Sequence, residues 1–93
     1  MIRVFRIYLV GEPLIFGEGT REVGFYRNEY VASSSEERAV AAAKAKTMKK
    51  LERSGARFIE GKPMNLQVEK VEDGMAPWRL FRNEGFIIFD VDS

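Results

Sequence analysis

Apolar residues dominate the first ten positions and alternate between two sides. Phe5, Ile7 and Leu9 fall on one side at a period of two; Ile2, Val4, Tyr8 and Val10 fall on the other, together with Arg6. A run this rich in β-branched and aromatic residues, closed by Gly11, predicts a strand over Ile2 to Val10. Apolar groups on both sides predict a central strand, or one whose second face a partner covers. Residues 11–22 hold three glycines and Pro13, which predicts a long turn. Leu14, Ile15 and Phe16 lie inside it; an apolar tripeptide in a loop is either tucked into the fold or a contact site. The next run, Val23 to Ala32, predicts a second strand. Val23, Phe25 and Val31 share one side with Arg27 and Glu29 between them, and Tyr26 and Tyr30 lie opposite.

The periodicity then changes from two to 3.6. Ser33-Ser34-Ser35-Glu36-Glu37 opens a helix, and either Ser34 with Glu37 or Ser33 with Glu36 matches the capping-box spacing. An Ala-rich stretch carries the helix to about Ser54, where Gly55 stops it. Val40, Ala43, Thr47 and Leu51 form the apolar stripe, flanked by Ala39 and Met48. Their small side chains permit close approach to a sheet. Gly61-Lys62-Pro63 predicts a turn, and Met64 to Val71 reads as a half-buried strand with Met64, Leu66 and Val68 inward and Asn65, Gln67 and Glu69 outward. Glu72-Asp73-Gly74 turns again. Ala76 to Arg82 fits one helical turn or a short strand, and Phe86 to Val91 is the last strand.

The order β-β-α-β-β predicts an α+β fold over 1–93 as a single domain. Its form is a four-stranded, mostly antiparallel sheet with one long helix on one face, a ferredoxin-like or related two-layer sandwich. The helix is a crossover long enough to join a parallel pair, and the 11–22 loop suits an antiparallel hairpin. One helix covers one face only. The other displays Tyr8, Tyr26 and Tyr30, so a homodimer or a protein partner is expected over it.

Composition narrows the chemistry. Hydrophobic residues make up 45% and charged residues 31%, a globular balance. Net charge is +1, too small for a global field that draws in nucleic acid or an anionic membrane. The charge is uneven, with eight basic and four acidic groups over 33–62 against three and six over 63–93. There is no Cys and no His, which removes thiol nucleophiles, zinc–thiolate sites and the usual neutral-pH base. The missing cysteines fit a reducing, cytoplasmic setting. Arg3 and Arg6 interrupt the apolar N-terminal run, so it is not read as a leader, and no stretch approaches a membrane span.

Four features are candidates for function. Lys44, Lys46, Lys49, Lys50 and Arg53 make the helix basic, with Lys46, Lys49, Lys50 and Arg53 as a possible anion-binding set. Glu36 and Glu37 at its start and cations at its end also suit the helix macrodipole, and the cations read as spread around the helix. Aromatic and basic residues alternate at Arg3-Phe5-Arg6-Tyr8, Phe25-Tyr26-Arg27-Tyr30 and Trp78-Arg79-Phe81-Arg82, as on surfaces that stack single-stranded bases. Gly17-Glu18-Gly19-Thr20 lacks the Lys-Ser/Thr of a phosphate loop and reads as a hairpin loop. Glu69, Glu72, Asp73, Glu84, Asp90 and Asp92 read as solvated edge charges, although Asp90 and Asp92 share a strand side. No residue stands out as catalytic, and no cofactor or metal is called for. The expectation is a self-associating interaction or regulatory module without catalysis, with Tyr8, Tyr26, Tyr30, Leu14, Ile15 and Phe16 as its contact residues. The alternatives are a nucleic-acid binder, using the basic helix or the Arg/Tyr sheet face, and a ligand binder with a pocket between loop 11–22 and Trp78.

Overall fold

A computed structural model describes residues 1–81 and 85–91; Arg82, Glu84 and Asp92, named above, lie outside them. Five strands and one helix follow in the order β1 (Arg3–Phe16), β2 (Val23–Ser33), α1 (Glu36–Arg53), β3 (Ala56–Arg57), β4 (Asn65–Glu72) and β5 (Ile87–Asp90), with a 3-10 turn at Pro77–Phe81 before β5. The architecture is α+β in two layers, an antiparallel sheet with the helix on one face. β1 takes β2 along one edge and β4, then β3, along the other; β5 adds outside β2. β2 and β4 run in the same direction with β1 between them, so the helix crosses over β1 and no adjacent pair is parallel. At about 3.3 Å per residue the 14 residues of β1 cover roughly 46 Å, and the longest dimension of the molecule is 45 Å.

β1 does not stop at Gly11. It runs to Phe16 through a cis Glu12–Pro13 bond and a register shift between Gly11 and Leu14. The shift changes which alternate residues face the helix. Phe5, Ile7 and Leu9 face it before the shift, and Leu14 faces it afterwards, fully buried. The apolar tripeptide read as part of a loop is therefore strand, and Leu14 belongs to the core. A Cβ at Gly11 would stand 2.6 Å from the Phe25 ring, so only glycine lets that ring lie across β1. β4 keeps its alternation to Val68 and then bulges. Lys70 pairs with Tyr8 and Val68 with Leu9, which leaves Glu69 as the extra residue and turns Val71 toward the helix.

The helix N-cap is Ser35, whose hydroxyl accepts from the Arg38 N–H at 3.2 Å. The capping pairs read from the sequence do not form, because β2 runs one residue further than expected, to Ser33, the cap falls on Ser35, and Arg38 occupies the third helical position. The buried stripe is Ala39, Ala43, Thr47 and Leu51, with Val40 and Met48 at its margins. Two apolar clusters result. Phe5, Ile7, Leu9, Val31, Ala39 and Ala43 form one; Leu14, Val23, Phe25 and Leu51 form the other. Between them, along β2, lie Arg27 and Glu29, both buried. Glu29 accepts from Arg27 Nε at 2.7 Å, Lys50 Nζ at 3.1 Å and Thr47 Oγ1 at 3.4 Å. Arg27 also lies over the Phe86 ring, 4.7 Å from its centroid.

Candidate interaction surface

The sheet face turned away from the helix is covered at one end and open at the other. Beyond β4 the chain crosses it: Met75 N–H donates to the Val4 carbonyl at 3.0 Å, and the 3-10 turn packs on β1 and β2. Val4 and Tyr30, on that face by alternation, are buried there. Tyr8, Val10, Tyr26 and Asn28 continue the face without such cover.

A polar network sits between the two halves. Arg6 Nη2 donates to Glu72 Oε1 at 2.9 Å, Tyr8 OH donates to the same oxygen at 2.7 Å, and Arg6 Nη1 donates to Tyr30 OH at 3.4 Å. Lys70 Nζ approaches Glu72 at 3.5 Å. The Tyr8 ring has the Arg6 guanidinium 4.8 Å from its centroid and Lys70 Nζ at 5.7 Å. The Tyr8 hydroxyl, then Arg6, holds the Glu72 carboxyl at about 2, below its ordinary 4.5. Burial, then the bond to Glu72, raises the Tyr8 phenol, and the bonds to Tyr30 and Glu72 raise the Arg6 guanidinium. A carboxylate this acidic is a poor base near neutrality and a raised phenol a poor acid. Arg6 is engaged by Tyr30 and Glu72.

A depressed carboxyl stabilises the fold in full above its unfolded value, and that share is lost as pH falls through the folded one. The urea midpoint is therefore expected to fall between about pH 4.5 and 2, and Glu72→Gln to lack part of that fall. Parallel acid curves for both proteins would place the acid sensitivity elsewhere.

Beside the network lies a shallow cleft of about 420 Å³ whose lining includes Tyr8, Tyr26, Asn28, Glu69 and Lys70. Tyr26 is held by Phe89 of β5, ring centroids 4.9 Å apart, and Phe89 in turn lies over Gly24, where any Cβ would collide with the ring. β5 is the outermost strand. Ile87, paired with Tyr26, is 68% exposed; Ile88, paired with Phe25, is 46% exposed on the helix side. There a second groove of about 420 Å³ is lined by Phe16, Val23, Phe86 and Ile88, with Arg21 at its rim. Arg21 pairs with Asp90 at the end of β5.

Of the expected contact residues, the structure brings Tyr8 and Tyr26 together at the cleft. Tyr30 is buried under the crossing segment, and Leu14 is core. Ile15 pairs with Arg57 of β3, and Phe16 packs beside Phe86 at the groove. Trp78 sits in the segment that crosses near Val4, while 11–22 begins at the far end of the same strand. From Val4 to Gly11 along β1 is about 23 Å at 3.3 Å per residue. The contact residues expected from the sequence do not include Ile87, Ile88 and Phe89, although four large apolar residues in a row, Phe86 to Phe89, signal them.

The basic residues of the helix are not spread around it. At 100° per residue, Lys46, Lys49, Lys50 and Arg53 fall within an arc of about 120° together with Arg38. The Lys50–Glu29 contact turns this arc toward β2. Lys44 lies off it. Arg57 is spent on the hairpin tip, donating to the carbonyls of Gly17 and Gly19.

No family model, no curated protein and no solved structure matches this chain.

Proposed function

We propose that the protein is a non-catalytic module that works as a homodimer, two copies joining their β5 edges. The supporting observation is the edge itself. Isolated sheets blunt an edge strand with inward charges, proline or a bulge. β5 pairs with β2 without a register shift, contains no proline, and its one charge, Asp90, is tied to Arg21. Its apolar side chains emerge on both faces of the sheet. Antiparallel pairing of β5 with a second β5 satisfies the unpaired edge N–H and C=O groups and sets Ile87 and Ile88 against their symmetry mates. The absence of cysteine suits a cytoplasmic setting.

Sedimentation velocity across the micromolar range is the test. Wild type is expected to sediment as a dimer, and Ile88→Lys, a charge on the exposed edge, as a monomer with an unchanged far-ultraviolet spectrum. A monomeric wild type overturns the reading. So does a dimer that survives Ile88→Lys together with Ile87→Lys, since the contact then lies elsewhere.

A further inference from the structure

The cations of this protein divide into two groups. Outside the helix, every described Arg or Lys apart from Arg79 has an acidic or carbonyl partner: Arg3 with Asp73, Arg6 and Lys70 with Glu72, Arg21 with Asp90, Arg27 with Glu29, Lys62 with Glu22, and Arg57 with two carbonyls. On the arc of the helix, Lys50 reaches Glu29, while Arg38, Lys46, Lys49 and Arg53 take part in none of the ion pairs among the described residues. All four are exposed. The macrodipole accounts for Lys50 and Arg53 in the last turn. It does not account for Arg38, a cation in the first turn where the dipole opposes it, nor for the gathering of like charges on one side. Glu36, Glu37 and Glu52, the acids of the helix, lie outside the arc. Like charges three and four residues apart repel, so this arrangement costs the free protein stability that an external anion recovers.

We infer that this flank docks on the phosphate backbone of double-stranded nucleic acid, without reading bases. From Arg38 to Arg53 the row is about 22 Å long at 1.5 Å per residue, and a duplex presents on the order of a dozen phosphate charges over that length. No aromatic residue lies on the helix, so the stacking that single-strand binders use is missing. Backbone docking by four point charges is sequence-independent. The row belongs to one chain and does not depend on dimer formation.

Fluorescence anisotropy of a labelled 20-bp duplex of arbitrary sequence is the test. With four phosphates neutralised, log K is expected to fall with log salt at a slope of about −3.6, roughly a hundredfold weaker binding from 50 to 200 mM salt. Lys46→Glu with Lys49→Glu abolishes binding while the melting temperature holds; Lys46→Arg with Lys49→Arg binds as wild type. No binding of the duplex at 50 mM salt overturns the inference, as does a slope shallower than about −1. Unaltered binding by the double Glu variant, or an unlabelled single strand that competes better than the duplex, also overturns it.

Discussion

Replacing Glu29 with alanine is expected to lower the unfolding free energy by about 3–5 kcal/mol, because it leaves a guanidinium buried without its carboxylate. Arg27 and Glu29 are both almost fully enclosed between the helix and β2. Lys50 is a third exposed and can turn to solvent; Arg27 cannot without opening the layer between the two apolar clusters. Native domains have only about 5–15 kcal/mol in total, so this one change takes much of the margin. The pair itself is a weak source of stability, since desolvating two charges offsets their attraction. Arg27→Met combined with Glu29→Leu is therefore expected to sit near or above wild type. Denaturant midpoints for the single and double variants check both statements. A single variant that loses less than about 1 kcal/mol would mean that water reaches Arg27, and that the two clusters are not sealed as described.

Leu14→Ala is expected to cost about 2–5 kcal/mol, the range for emptying a buried leucine site. Leu14 is fully buried beside Val23, Phe25 and Leu51. The same substitution separates the core role from the contact role that the tripeptide suggests. A core residue lowers the denaturant midpoint and leaves the dimer constant of the folded protein unchanged. A loop contact does the reverse, with the midpoint held and association lost.

Local signals were legible where the pattern was local. The two N-terminal strands, the helix with its stop at Gly55, the β4 run and the final strand all stand in the periodicity. So does the placing of Tyr26 and Tyr30 opposite Val23, Phe25 and Val31. The misreadings share a cause. Gly11 and Pro13 are turn residues by local chemistry, yet in β1 the glycine makes room for the Phe25 ring and the strand carries on past the proline. Only the pairing partners β2 and β3 reveal that, because a bulge is defined by what lies across it. Three serines in a row leave the cap ambiguous; it falls on Ser35 in the folded chain. Arg27 and Glu29 between apolar neighbours were visible in the sequence. That they are buried against Lys50 and Thr47 depended on the helix crossing β2 at that point.

The candidate surfaces divide in the same way. Residue identity alone determined that thiol and imidazole chemistry are absent, that an apolar C-terminal strand exists, and that the helix is basic. Hydrophobic period and capping chemistry act over a few residues, and they set the elements. Tertiary structure decided that β5 lies at the edge, that the crossing segment buries Tyr30 while leaving Tyr26 open, and that Glu72 occupies Arg6. Each of these depends on groups brought together across 20 or more positions by sheet order, and sheet order follows from which faces can be buried together, a property of the whole chain.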